Sequence, residues 1–309
     1  MNRESRPDIF IIVNPAAGRG EARRQAAAVR DYLGSKGRGV ELAESHNSED
    51  VRAQAARAAR NGCPCVLALG GDGTFHHLAE GILGTGASAG FLPAGNGNDV
   101  ARALGIPADP IRAADALLHS RVRVIDLVRA RFPNGHVAHS ICVGGIGLDA
   151  QAAHLANTRF RAWPGTSRYL AGALLTYFEG AAFELHADMD GRGWHGRALF
   201  AVAANAPQYG SGLRIAPGAQ IDDGWLDLVI VRELAWTRVF EAIPILLTSG
   251  DLRFPEVEKF RSKRVLLETD RPVKVHGDGE ILGESPVEFE VVPGALRVLA
   301  PEGRPSSSR

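Results

Sequence analysis

The chain has 309 residues, enough for two cores, since single hydrophobic cores stop growing at about 250 residues. Hydrophobic residues make up 45% and charged residues 23%, the balance of an ordinary globular protein rather than a disordered or fibrous one. Lys+Arg and Asp+Glu stand at 35 each, so no net field draws the chain to nucleic acid or an anionic membrane, and recognition of phosphate or lipid has to be local.

Met1 to Asp8 is polar and lacks the apolar stretch of a signal peptide. No segment approaches the roughly 20 apolar residues of a membrane span, so the expected location is cytoplasmic. Ile9 to Val13 is a short continuous apolar run, the mark of a strand buried on both faces, and it stops at the turn Asn14-Pro15-Ala16-Ala17-Gly18. Glu21 to Leu33 has helical spacing and ends at Gly34. Gly39 to Ala43 is a weak strand, and Ser48 to Arg60 a helix with Ser48 as the expected N-cap. Cys63, Cys65 and Cys142 form neither a disulfide framework nor a zinc spacing and read as small buried hydrophobes. Cys65 to Leu69 is a buried strand, then Gly70-Gly71-Asp72-Gly73-Thr74 leads into a helix through Leu83. Ala89 to Leu92 is a fourth strand, ended by Pro93-Ala94-Gly95-Asn96-Gly97-Asn98-Asp99 and followed by a helix from Val100 to Leu104. This alternation predicts an α/β domain over 1–121 with a parallel sheet and helices on both faces.

Beyond Arg121 the pattern becomes one of many short strands with turns such as Asn134-Gly135 and Asp190-Gly191, as in a mainly antiparallel β-sandwich over 122–301. Two helices interrupt it, Ser167 to Phe178 and Ala235 to Leu247, and 302–309 reads as a disordered tail. Arg159 to Trp163 with Tyr169 to Phe178 mixes basic, aromatic and apolar residues; a core-packed helix is the preferred reading over an interfacial one or a lipid-pocket mouth.

Three glycine-rich turns follow the first, third and fourth strands, and in a parallel sheet all three lie at the carboxyl edge, where ligands bind. Glycine lets backbone N–H groups converge on phosphate, and the helix N-termini that follow add positive dipole. Asp72 stands mid-turn, where a carboxylate holds Mg²⁺ directly or through water. These three motifs, in this order and spacing, resemble the nucleotide-binding motifs of the diacylglycerol kinase catalytic domain family. Gly-Gly-Asp-Gly-Thr is shared with NAD kinases and related to that of phosphofructokinases, while Gly95-Asn96-Gly97-Asn98-Asp99 is narrower, with Asn96 in the place of a threonine. The resemblance runs from Ile9 to Leu299.

It implies a kinase that takes ATP on Asn14, Pro15, Gly18, Gly70, Gly71, Asp72, Gly73, Thr74, Gly95, Asn96, Asn98 and Asp99, with Ser45 in place of a nucleotide-contacting threonine. Gln220-Ile221-Asp222-Asp223-Gly224-Trp225 resembles the family's structural Mg²⁺ segment, which would make Asp223 and the carbonyls of Gln220 and Trp225 ligands; on its own it is an acidic turn. Asp278-Gly279-Glu280 resembles the family's Asp-Gly-Glu motif, with Asp278 as the candidate general base and Glu280 assisting. The implied active site lies in an interdomain cleft and the implied acceptor is a lipid alcohol met at a membrane surface or micelle, with peripheral attachment at the inner membrane face. A homodimer is left open and nucleic acid is not expected as a partner.

Other motifs are set aside. Gly145-Ile146-Gly147-Leu148-Asp149-Ala150 fits Gly-x-Gly-x-x-Ala but lacks the acidic residue about 20 positions on, and reads as structural. There is no Walker motif, and His76-His77 reads as a solvated or packed pair. Gly210-Ser211-Gly212 lacks the earlier glycine of a nucleophile elbow, and Asn205 and Tyr209 lie in a loop whose family counterpart is near the cleft. Two rivals stay open: an NAD kinase-like enzyme, disfavoured by the lack of a Thr-Gly-Ser-rich motif, and a non-catalytic lipid- or nucleotide-binding regulator, disfavoured by the joint presence of Asp72 and Asp278.

Overall fold

The computed structural model describes residues 7–164, 167–180 and 182–301, so the expected tail lies outside the described residues. Two compact units form, one from Asp126–Pro293 and the other from the described residues before and after it. A single boundary near residue 121 was expected; instead the chain crosses twice, because its last strand returns to the first unit.

In the first unit, β1 (Ile9–Val13) pairs in parallel with β2 (Val40–Glu44) and with β3 (Cys65–Gly70), and β3 pairs in parallel with β4 (Ser88–Pro93). Every residue of β1 and β4 is buried, as their continuous apolar runs require. The helices are α1 (Glu21–Ser35), α2 (Ser48–Arg60), α3 (Asp72–Ile82), α4 (Asp99–Ala103) and α5 (Pro110–Leu118). The cap of α2 is Asn47 rather than Ser48: its carboxamide oxygen accepts from the Asp50 N–H at 2.9 Å, and Ser48 is already helical. Helix α5 is absent from the sequence reading, although Asp109 capping the Arg112 N–H at 2.8 Å and Pro110 in the first turn are start signals.

The second unit is mainly antiparallel. Its strands are β5 (Arg121–Arg131), which enters from the first unit, β6 (Val137–Ser140), β7 (Val143–Gly147), β8 (Phe183–Met189), β9 (Arg192–Ala204), β10 (Leu226–Arg232), β11 (Val257–Ser262), β12 (Arg264–Thr269), β13 (Lys274–Gly277), β14 (Glu280–Glu284) and β15 (Val287–Ala300). They pair in the order β14-β13-β7-β9-β8-β12-β15, with β10 on β9, β11 on β10 and β6 on β5. The end of β15 belongs to the first unit, where Val298 pairs in parallel with Ala89 of β4. Helices α6 (Leu148–Asn157), α7 (Ser167–Phe178) and α8 (Trp236–Leu247) complete the unit. The core gathers Phe183, Leu185, Leu228, Ile230, Leu267 and Phe289, and Gly144 in β7 lies under the Phe289 ring, where a Cβ would come within 2.3 Å. All three cysteines are free; Cys63 and Cys142 are buried, and burial pushes the Cys65 thiol up to about 12.

Candidate active site

The parallel register aligns the carboxyl ends of β1 to β4, Val13 beside Glu44 and Leu69, and Gly70 beside Pro93, so the residues after each strand meet at one edge. Asn14 donates its amide to Thr74 Oγ1 at 3.1 Å and accepts from the Ala16 N–H at 3.1 Å, which ties the first turn to the second. Gly18 sits at φ +59°, and a Cβ there would meet the Ala94 carbonyl oxygen at 2.1 Å, so the first turn also lies against the third. The second and third turns touch through glycine: a Cβ on Gly95 would come within 2.6 Å of Gly71 Cα. A Cβ on Gly70 would come within 2.5 Å of Thr74 Oγ1. Ser45 is buried at the end of β2, its hydroxyl donating to the Val13 carbonyl at 3.1 Å.

Asp72 opens α3, and its Oδ1 accepts the Val100 N–H at 3.1 Å, joining α3 to α4. Asn98 is left-handed at φ +58° and donates to the Gly95 carbonyl at 2.9 Å, while its Oδ1 is buried with no donor among the described residues. Asp99 is buried and pairs with Arg102 at 2.9 Å; Asn96 is exposed. The structure therefore brings Asn14, Gly18, Ser45, Gly70, Gly71, Asp72, Thr74, Gly95, Asn98 and Asp99 to one edge. Backbone without Cβ atoms, the N-terminus of α3 and the unspent Asn98 oxygen suit a phosphorylated ligand with polar hydroxyls.

In the second unit the Asp278 carboxylate is a hub. Its Oδ2 accepts from the Ile141 N–H at 2.6 Å and its Oδ1 from the Cys142 and Val143 N–H groups at 2.9 and 3.0 Å. Asn205, fully buried, donates to the Ile141 carbonyl at 2.8 Å and the Asp126 carbonyl at 3.0 Å, so it clamps this loop from the other side. Asp278 is held at φ +50°, which sends the chain through Gly279 to Glu280, an exposed residue at the start of β14.

Two residues missed by sequence reasoning underlie this turn. His276 is wholly buried, with Nε2 at 2.8 Å from Asp149 Oδ2 and its ring stacked on Tyr209 at 5.9 Å. Gly145 makes room for the pair, since a Cβ there would lie 2.5 Å from Asp149 Oδ2 and 2.6 Å from His276 Nε2. The Gly-x-Gly-x-x-Ala segment is thus the strand-to-helix turn that seats Asp149 beneath the Asp-Gly-Glu turn. Asp149→Ala is expected to cost about 1–3 kcal/mol by leaving a buried imidazole unpaired, read as a lower urea midpoint at an unchanged slope.

Asp126 was also missed, and a lone carboxylate inside the apolar run Ile125-Asp126-Leu127-Val128 was its signal. Its Oδ2 accepts the Gly224 N–H at 2.7 Å and so positions the 220–225 loop. Within that loop Asp223 Oδ1 accepts the Trp225 N–H at 3.0 Å, and Oδ2 is paired with the Arg261 guanidinium. Gln220 is exposed, and Lys263 lies over the Trp225 ring at 4.9 Å. As folded, the loop presents an ion pair, and a cation on Asp223 would share its carboxylate with the Arg261 guanidinium.

His76 and His77 are buried, not solvated, and converge on Glu80 at 3.6 and 3.4 Å, with Arg52 on the same carboxylate. The guanidinium already supplies the positive charge there. Burial opposes ionisation of Glu80, but hydrogen bonds from His76, His77 and Arg52 outweigh it and hold the carboxyl well below the usual range. A depressed folded pKa gives stability that is complete above the ordinary value of 4.5 and is lost as acid approaches the folded value. The stability gap between the native chain and Glu80→Gln is therefore expected to be full at neutral pH and to narrow below pH 4.5, measured by urea titration at each pH.

The fold comprises a parallel α/β unit with a glycine-rich edge and a mainly antiparallel β unit. Residues 8–130 match the diacylglycerol kinase catalytic domain, and residues 142–300 match the YegS C-terminal NAD kinase beta sandwich-like domain. "Diacylglycerol kinase" of Mycobacterium tuberculosis is 31% identical over 97% of both chains, and a "Probable lipid kinase YegS-like" of Pseudomonas aeruginosa is 32% identical over 96% of this chain and 95% of its own. The crystal structure of a diacylglycerol kinase from Bacillus anthracis str. Sterne superposes with a TM-score of 0.74 at 20% identity, covering 94% of this chain and 96% of its own, and so shares the fold. The chain belongs to the diacylglycerol kinase and YegS-like lipid kinase family, whose kinases use ATP.

Proposed function

We propose that this protein transfers the γ-phosphate of ATP to a hydroxyl of a diacylglycerol-like or sphingoid-like lipid. The observation that carries the reading is the convergence of three cradle turns, Asn14 to Gly18, Gly70 to Thr74 and Gly95 to Asp99, at one sheet edge. Phosphoryl transfer asks for positioning and neutralisation of charge more than for covalent chemistry, and these turns serve both. Mg²⁺ bound with the phosphates would neutralise their charge, and Asp72 is the carboxylate on those turns able to assist it. The acceptor hydroxyl belongs with the Asp-Gly-Glu turn. Asp278 spends its oxygens on three N–H groups and fixes the turn, so the late proton falls to Glu280.

Radiolabelled ATP with Mg²⁺ and a panel of micellar lipid alcohols, NAD included as a control, tests this. Label is expected in one lipid. Label in NAD alone would overturn the lipid reading in favour of the enzymes after which the C-terminal domain match is named, and ATP binding without transfer to any acceptor would favour a regulator.

A further inference from the structure

Helix α7, expected to pack in the core, buries only Gly172 and Thr176, and α8 leaves Trp236 and Phe240 exposed. Helix α3 does the reverse and buries polar groups. His76 and His77 are each only 8% exposed, and with Glu80 they stand at helical positions i, i+1 and i+4, so both imidazoles reach one carboxylate. They face different oxygens of it: His76 Nε2 is 3.6 Å from Oε1, and His77 Nδ1 is 3.4 Å from Oε2. One ligand atom from each of the three residues lies within 4.8 Å of the other two. The two rings meet edge to face, their centroids 5.1 Å apart.

These separations are long for hydrogen bonds, which centre at about 2.9–3.0 Å between nitrogen and oxygen. They are close to the spacing that a metal ion imposes on its ligands. Zinc bonds of about 2.0–2.1 Å in a tetrahedron set neighbouring ligand atoms roughly 3.3–3.4 Å apart. A cationic group already reaches into the cluster. Gly81 lets α2 approach α3, since a Cβ there would meet the Arg52 carbonyl oxygen at 2.5 Å. From α2 the Arg52 side chain donates through both Nε and Nη2 to Glu80 Oε2, and Nη2 also lies 3.5 Å from His77 Nδ1. Glu80 Oε1 is left turned toward His76. The Arg52 side chain is 45% exposed, so water can take over its hydrogen bonds when it turns outward.

The geometry points to His76, His77 and Glu80 as a site for a divalent transition-metal ion of the Zn²⁺ class, with Arg52 as its internal competitor. Imidazole nitrogen favours such ions, whereas Mg²⁺ keeps to oxygen ligands. Two imidazoles and one carboxylate leave a fourth position for water. An imidazole nitrogen has one lone pair, so a metal on His77 Nδ1 requires the guanidinium to turn from that nitrogen, while Oε2 has lone pairs enough to keep it. The site is distinct from the Mg²⁺ that would accompany the nucleotide, because Asp72 stands four residues earlier on α3 and takes the Val100 N–H. A metal ion there would stiffen the helix whose first turn carries Asp72. Its binding does not depend on the lipid-acceptor reading.

The test is calorimetric titration of the full, chelator-treated chain with ZnCl₂ and, separately, with MgCl₂. The native chain is expected to bind Zn²⁺ far more tightly than Mg²⁺, and its thermal midpoint should rise with Zn²⁺ concentration. His76→Gln and His77→Gln should each weaken Zn²⁺ binding by more than about a hundredfold, since the outer partners of metal ligands alone are worth about 10- to 100-fold. Arg52→Gln should tighten it roughly tenfold by removing a like charge from the cluster. That gain cannot arise from a variant that fails to fold. His186 and His195, stacked across β8 and β9 with ring centroids 4.2 Å apart, are a second place where two imidazoles meet. The double substitution His186→Gln with His195→Gln is therefore the control and should leave the Zn²⁺ affinity as it is. A native chain that binds no Zn²⁺ would overturn the proposal, as would binding lost with the β8–β9 pair and kept by the α3 variants. Weaker binding in Arg52→Gln would also overturn it, because the guanidinium would then be supporting the ion instead of competing with it.

Discussion

Glu280→Gln is expected to lower kcat for lipid phosphorylation by about 10²–10⁴-fold while leaving the unfolding midpoint in place. Glu280 is exposed at the start of β14, and exposed substitutions generally shift stability by no more than about 0.5 kcal/mol. Asp278→Asn should behave differently, and the contrast separates the two roles. Its oxygens accept three backbone N–H groups, two on Oδ1 and one, from Ile141 at 2.6 Å, on Oδ2. An amide that keeps its oxygen toward Cys142 and Val143 turns its own N–H₂ against the Ile141 N–H. The clash of donors should cost about 1–3 kcal/mol, and the loop from Ile141 to Val143 should move with it. Asp278→Asn is therefore expected to lose both activity and stability, measured by single-turnover kinetics and urea unfolding on the same preparations. If Asp278→Asn kept native stability and Glu280→Gln native kcat, Asp278 would be the proton acceptor after all.

The second large effect is expected at glycines of the edge where the three turns meet. Gly18→Ala forces a side chain onto a residue at φ +59°, which costs about 1–2 kcal/mol, and drives a Cβ to 2.1 Å from the Ala94 carbonyl. Gly95→Ala drives one to 2.6 Å from Gly71 Cα. Neither obstacle is a flexible side chain, so the turns must part. Misplacement of about 1 Å costs on the order of 10²-fold in catalysis, and a loss of that size in kcat/KM is expected for each variant. Gly84→Ala is the control: it also has positive φ, +71°, but nothing lies within 4 Å of its Cβ. It should lose some stability and no nucleotide affinity, followed by calorimetric titration with ATP. Equal losses at Gly84 and Gly18 would mean that backbone strain, not closeness of the turns, explains the effect.

Much of this was legible in the amino-acid order. Continuous apolar runs such as Ile9 to Val13 demand strands buried on both faces, and glycine turns after three of them demand a parallel sheet with ligand groups at one edge. These are local consequences of side-chain burial and backbone freedom, so the meeting of Asn14, Gly71, Asp72 and Gly95 at one edge follows from the amino-acid order. Helices α5 and α6 escaped because short Ala-rich segments carry a weak period, although Asp109-Pro110 marked the start of one.

What depends on contacts between distant segments could not be read in this way. That the Asp278 carboxylate also fixes a loop could not be read, because an Asp-Gly-Glu string says nothing of Ile141 to Val143, more than 130 residues away, whose N–H groups it binds. The Asp223 loop resembled a structural Mg²⁺ segment, and nothing in its own residues announced Arg261, which only folding puts on Asp223. His276 and Asp149 are each unremarkable in sequence and become a buried pair through the pairing of β13 with β7. The sequence by itself thus determined the layered α/β and antiparallel architecture and the edge on which three glycine turns meet, because burial pattern and glycine act locally. Tertiary structure alone decided which carboxylates are spent on backbone or arginine, and which apolar faces, on α7 and α8, are left outside the core.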